Sequence, residues 1–259
     1  AVAKKIPELL GEQREKFISG AVKKGHTKKE AEKLFAVIEP FAGYGFNKSH
    51  AACYALIAYQ TGYLKAHFPS EFLAALLTAD HGNLDRLAID IEEANKMSIK
   101  VLPPSVNESL ANFTVVAGGD IRFGMNAIKG VGEGPIRAIL DARESGGRFT
   151  DLADFASRVD PSVINKRTLE ALAFSGALDD LGERAAIAAS AASLSEFAKA
   201  AKNAVETTQG SLFGESTAPK LEFQLEKIPP ASRSQKLKWE KELLGMYVSA
   251  HPLAGLRKA

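Results

Sequence analysis

The chain has little of what a secreted or membrane protein needs. Its single cysteine, Cys53, in 259 residues leaves no partner for an internal disulfide, which suits a reducing cytoplasm. No apolar run approaches the length of a bilayer span, so no membrane contact is expected. Ala1 opens a basic amphipathic pattern rather than a charged stretch followed by an apolar core, so a secretory leader is not expected. Metal ligands are sparse too. His26, His50, His67 and His81 fall at spacings that fit no standard site, and no metal or cofactor is expected within these residues. Cys53 itself reads as a core residue of an apolar helix. Net charge is only +2, too small to argue for nucleic acid on its own.

What is present is helix. The 46% hydrophobic content is ordinary for a globular chain, and helical spacing dominates the first hundred residues. Leu10, Phe17 and Ala21 form one stripe that ends at Gly25. Thr27 and Glu30 form a capping box before Ala31, Leu34, Phe35 and Ile38. Glu71 to Ala79 follows Pro69, and Asn83 caps a helix with Leu84, Leu87, Ala88, Ile91 and Ala94 on one face. Pro103-Pro104 breaks the pattern. Phe113–Val116 and Ile121–Phe123, joined through Gly118-Gly119, read as a β-hairpin and the only sheet. Short helices are expected over Gly134–Ser145, Asp151–Val159 and Asn165–Phe174, then one alanine-rich helix over Arg184–Val205. Residues 206–235 read as an extended or disordered linker, and Leu237–Val248 as an amphipathic helix. In the first thirty residues Lys4, Lys5, Arg14, Lys16, Lys23, Lys24, Lys28 and Lys29 outnumber Glu8, Glu12, Glu15 and Glu30. That excess either tracks a phosphate backbone or forms a solvated helix face.

Between Phe41 and Leu77 the polar cluster Asn47-Lys48-Ser49-His50 abuts the apolar run Ala51–Ala58. A buried helix opening there would aim free N–H groups and its positive dipole end at the cluster, beside Lys48 and a protonated His50. Such a place binds anions, triphosphate among them. The competing reading is a capped core helix with a solvated lysine. GYGFNKS is not a P-loop, because Asn47 stands where glycine must precede Lys-Ser, and helix rather than strand comes before it.

The string GYGFNKSHAACYALIAYQTGYLKAHFP resembles the fingers region of the alpha subunits of bacterial C-family replicative DNA polymerases, and the likeness runs along the whole chain. The resemblance implies that Asn47, Lys48, Ser49 and His50 lie near the triphosphate of an incoming dNTP, with Tyr44 and Phe46 shaping the pocket. It also implies that the chain is an interior piece of a DNA-directed DNA polymerase, starting without methionine and stopping within a continuing module. On that expectation the Mg²⁺ ions of nucleotidyl transfer sit on palm aspartates that have no match here. No catalytic residue is then expected in the chain, which would be inactive alone.

Ile128-Lys129-Gly130-Val131-Gly132, followed by Ile136 and Ile139, has the form of a helix-hairpin-helix DNA-binding motif. Glycines let backbone N–H groups approach a phosphate, and the next helix points its N-terminus inward. Lys129 and Arg137 would add charge contacts that read no bases. A weaker copy with one glycine runs from Lys166 and Arg167 to Gly176 and Leu178, either as a second backbone contact or as a structural partner of the first. Gln209-Gly210-Ser211-Leu212-Phe213 sits in the polar linker, where a Leu-Phe pair cannot join a core and so invites a partner pocket. It resembles the sliding-clamp peptide of these polymerases, with Gln209, Ser211, Leu212 and Phe213 as clamp contacts.

The expected fold is mostly α. Residues 1–104 are distal fingers, and 105–183 hold the hairpin and the tandem helix-hairpin-helix. An alanine-rich helix covers 184–205, the flexible linker 206–235, and a final helix lies in 236–259. Expected partners are primer-template DNA, dNTP, the sliding clamp (the beta subunit) and other replisome subunits, in the cytoplasm. Two rivals stay open: a non-enzymatic helix-hairpin-helix accessory protein, which leaves the Phe41–Leu77 string unexplained, and the error-prone relative of the replicative polymerase.

Overall fold

The computed structural model describes residues 7–40, 48–208 and 223–250. The chain divides into two compact units, residues 1–64 and 65–259. Among the described residues it is mostly α-helical, with eleven α-helices and one small sheet.

The first unit holds α1 (Pro7–Lys23), α2 (Lys28–Ile38) and most of α3 (Lys48–His67). Gly25 ends the first helix with φ +93°, a conformation that costs glycine little. The capping box forms as read. The Glu30 amide donates to Thr27 Oγ1 at 3.3 Å, and the Thr27 amide donates to Glu30 Oε2 at 3.0 Å. Phe17 and Phe35 stack with centroids 5.6 Å apart, and Ala31 and Phe35 are buried.

The third helix opens at Lys48, where the polar cluster meets the apolar run. Its burial differs from expectation: none of its residues is buried, and Cys53 is exposed rather than a core residue. Tyr54, Leu56, Ile57, Tyr59, Tyr63 and Leu64 all stand at the surface. Apolar side chains circle this helix on every side, so it needs partners all round, and the described residues do not enclose it. Among them no helix is long and apolar enough to cross a membrane.

The second unit begins with α4 (Pro69–Asp80) and α5 (Leu84–Lys96), which bury Leu73, Leu77, Leu87 and Ala94. The Asn83 side chain caps α5 by accepting from the Arg86 amide at 3.2 Å. The sheet has three strands where the sequence promised two. β2 (Thr114–Val115) and β3 (Ile121–Arg122) form the expected antiparallel hairpin, and β1 (Val101–Leu102) adds in parallel to β3 in the order β1-β3-β2. The Ile121 amide donates to Lys100 and the Phe123 amide to Leu102. Two residues ahead of Pro103-Pro104 carry no alternation by which β1 could be recognised.

After a 3₁₀ turn at Met125–Ala127 come α6 (Glu133–Gly146), α7 (Leu152–Arg158) and α8 (Lys166–Ser175). They enclose a core that includes Phe123, Phe155, Ile139 and Leu172. The expected single alanine-rich helix is two, α9 (Arg184–Ala189) and α10 (Ala191–Thr208). They part at buried Ser190, whose hydroxyl accepts the Glu226 amide at 2.9 Å. Residues 223–232 have no regular structure, but they are anchored rather than loose. Phe223 packs on Phe197 at 5.5 Å, and the Ala231 amide donates to Glu183 at 3.0 Å. The last helix, α11 (Arg233–Leu243), starts and stops earlier than expected, because Gly245 turns the chain with φ +78°.

Candidate nucleic-acid interface

Residues 128–134 build the clearest site. Buried Ile128 and Val131 pin the turn from below. The Val131 amide donates back to Ile128 at 3.2 Å, and the Lys129 amide donates to Leu243 at 3.0 Å. Gly130 takes φ +91°, where an L side chain would be strained. The amides of Gly130, Gly132, Glu133 and Gly134 donate to no acceptor among the described residues. These four N–H groups surround the N-terminus of α6, whose dipole end favours an anion.

Gly132 separates a folding reason from a binding reason. Its φ is −88°, which any residue adopts, and a Cβ built there meets nothing within 4 Å. Nothing inside the fold requires glycine. A side chain would obstruct only something arriving from outside. Lys129 and Arg137 flank this surface and are exposed.

The weaker copy lies against the first. A Cβ on Gly130 would sit 3.6 Å from Ala171 of α8, and one on Gly134 would sit 3.7 Å from Val163. Exposed Lys166 and Arg167 open α8, which Asn165 caps by accepting the Thr168 amide at 3.0 Å. Lys166 also pairs with Glu170 at 3.8 Å. The turn after α8 is filled from within. Gly176, at φ +86°, has no room for a Cβ because the Arg184 guanidinium lies on it.

Arg184 is buried, and it donates to Asp179 at 2.8 Å and to Glu240 at 3.0 Å. Burial alone would weaken its charge, but hydrogen bonds and charge from Asp179 and Glu240 prevail and raise its pKa. Glu240 also accepts the Val248 and Ser249 amides at 3.0 Å, which fastens α11 and the segment after it to the tandem unit. Glu183 caps α9 and accepts from Ala231. Burial opposes its ionised form, yet the Ala231, Ala186 and Ala185 amides and Lys236 lower its pKa on balance.

At the opening of α3, Lys48, Ser49 and His50 are exposed. No acidic residue stands in that first turn, and the His50 ring packs on Tyr54 with centroids 4.3 Å apart. Tyr44, Phe46 and Asn47 lie outside the described residues, as do Gln209, Ser211, Leu212 and Phe213. Among the described residues no group of three or more His, Cys, Asp or Glu side chains is placed to hold a metal ion.

Comparison with known proteins agrees with this geometry. Residues 98–187 match a family model described as the helix-hairpin-helix motif. The chain is similar to the DNA polymerase III subunit alpha of Vibrio cholerae, 45% identical over 98% of this chain and 22% of that protein. It is also 45% identical to the Thermus aquaticus subunit, over 100% of this chain and 21% of the relative. For the Escherichia coli subunit the figures are 43%, 98% and 22%. The resemblance read from Phe41–Leu77 thus extends along nearly the whole chain, which spans about a fifth of the length of these relatives.

Proposed function

We propose that this chain is the part of a replicative DNA polymerase that holds duplex DNA by its backbone and, one unit away in sequence, the phosphates of an incoming dNTP. The observation that carries this reading is the set of four unpartnered amides at 130–134 beside a glycine that the fold itself does not need. A phosphate accepts from such amides at the helix N-terminus, while Lys129 and Arg137 supply cationic contacts to neighbouring phosphates. These contacts touch no base edge, so binding is independent of sequence and falls steeply with salt. Lys166 and Arg167, on the helix packed beside the hairpin, lengthen the same track.

In the parent reaction a primer 3′-oxygen attacks the α-phosphorus of a dNTP and pyrophosphate leaves. Carboxylate-held Mg²⁺ supplies activation of the oxygen and stabilisation of the leaving group, on residues outside this chain. The contribution of this chain is positioning. Lys48 and the first-turn amides of α3 face the triphosphate, with Asn47, Ser49, His50, Tyr44 and Phe46 completing the pocket. The exposed apolar surface of α3 fits a helix that other parts of the polymerase enclose. Gln209, Ser211, Leu212 and Phe213 bind a sliding clamp, which raises the local concentration of enzyme at the primer end.

Primer extension by full-length protein carrying Lys129→Ala and Arg137→Ala tests the reading. The expected result is weakened duplex binding at physiological salt with nucleotide KM unchanged. Unaltered duplex affinity in that variant refutes it.

A further inference from the structure

The last helix carries a second cationic surface that the helix-hairpin-helix motif does not include, since the matched segment ends at residue 187. A groove of about 480 Å³ runs along α11, floored by Leu237 and edged by Arg233, Lys238, Lys241, Glu242 and Tyr247. Three cations against one carboxylate leave it net positive. Arg233 and Lys238 are exposed and have no acidic partner among the described residues. Lys241 is held in place, donating to the Gly245 carbonyl at 2.7 Å and lying 5.9 Å from the Tyr247 ring centroid.

The N-terminal end of the helix adds to the field. Ser232 caps it by accepting the Gln235 amide at 3.2 Å, while the Arg233 and Ser234 amides donate to no acceptor among the described residues. Behind the groove the helix is held by Trp239, whose ring centroid lies 4.4 Å from that of Phe174, and by buried Glu240, which is locked to Arg184. The helix therefore presents these cations on a rigid support.

The groove is also joined to the hairpin. The Lys129 amide donates to the Leu243 carbonyl at 3.0 Å, so the C-terminal end of α11 is bonded to the turn that bears the unpartnered amides. Arg233 lies ten residues back along the helix, about 15 Å at the α-helical rise. That span is about four to five base pairs of duplex at 3.4 Å each.

We propose that the exposed face of α11 binds the phosphodiester backbone of the same duplex that the hairpin holds, extending its footprint by roughly half a helical turn. The proposal rests on the duplex-binding reading of the hairpin. The occupant is duplex rather than single strand because the groove lies on the helix whose C-terminal end is bonded to the hairpin turn. It offers only one aromatic ring, and Lys241 lies against it, where a single-strand platform needs successive exposed rings.

The test compares three forms of the 259-residue chain by fluorescence anisotropy on a 20-base-pair duplex across a salt series. They are wild type, Arg233→Ala with Lys238→Ala, and Lys129→Ala with Arg137→Ala. The two α11 side chains are exposed, so an unchanged thermal midpoint verifies folding. The expected result is a several-fold affinity loss in both variants, with the salt slope of the α11 variant smaller by about 2.

If the hairpin variant weakens binding and the α11 variant does not, the extension is refuted while the hairpin reading stands. If only the α11 variant weakens binding, the groove acts alone, and both the extension and the hairpin reading fail. If neither changes, both fail as well. A stronger effect of the α11 variant on a 20-nucleotide single strand than on duplex refutes the choice of occupant.

Discussion

The two helix-hairpin-helix turns put their glycines against different surroundings. In the first, the amides of Gly130, Gly132, Glu133 and Gly134 donate to no acceptor among the described residues, and a Cβ on Gly132 would meet nothing within 4 Å. In the second, Gly176 is covered by the Arg184 guanidinium, which is held by Asp179 and Glu240. One turn leaves its polar groups for an outside anion. The other is sealed by a cation from its own chain. The two turns thus differ in what fills them: the second is closed by Arg184, which also ties α11 to it through Glu240, and the first leaves amides without an acceptor among the described residues.

The largest expected effect comes from breaking the sealed turn. Arg184→Ala leaves Glu240 buried without its cation and should destabilise the chain by about 3–5 kcal/mol, read as a lowered urea midpoint. A midpoint close to wild type would mean that the second turn is not the internal support described. The open turn should behave in the opposite way. Gly132→Leu should leave the thermal midpoint unchanged and lower duplex affinity roughly tenfold, about 1.4 kcal/mol. If stability falls instead, the glycine serves the fold and the contrast between the turns disappears.

A third test carries the comparison to the opening of α3, which is as exposed as the first hairpin. In full-length protein, Lys48→Ala should raise nucleotide KM or lower kcat by roughly tenfold or more, the scale of one charge-assisted hydrogen bond at about 1.5–3 kcal/mol. Duplex affinity should stay intact. A loss of duplex binding there would show that the two anion sites are not separate.

The smallest effect contrasts the satisfied charge of Arg184 with an unsatisfied one. Asp90 Oδ2 is buried without a hydrogen-bond partner among the described residues. Desolvation, then the nearby Asp80 carboxylate, raise its pKa. A carboxyl whose folded pKa is raised favours the folded state at pH below its unfolded value, and this advantage is lost as pH rises through the folded value. Asp90→Asn should therefore raise the thermal midpoint at pH 7, with the gain shrinking as pH falls through the raised folded value and gone below the ordinary value of 3.8. An equal gain at both pH values would show that ionisation is not its cause.

Much of the fold was legible because local chemistry states it. The Thr27–Glu30 capping box, the Asn83 cap, the hairpin around Gly118-Gly119 and the Gly130–Gly132 turn all appear where their residues require. What escaped depends on distant partners. β1 is two residues long and exists only because β3 lies beside it. The break at Ser190 is tied down by Glu226, 36 residues on. α11 has a cationic face visible at Arg233, Lys238 and Lys241, but only the Lys129–Leu243 bond shows that this face adjoins the hairpin. Burial of α3 was wrongly expected because an apolar run predicts that a helix needs cover, not that the same segment of chain provides it. Lys48, Ser49 and His50 were placed at a helix opening, as the polar-to-apolar boundary indicated.

Duplex affinity of the 259-residue chain, measured against salt on two duplexes of unrelated sequence, tests the central claim most directly. Equal affinities for the two sequences are expected, with a steep linear fall of log K with log salt corresponding to several neutralised phosphates. A preference for one sequence, a flat salt dependence or no binding at low salt would contradict it.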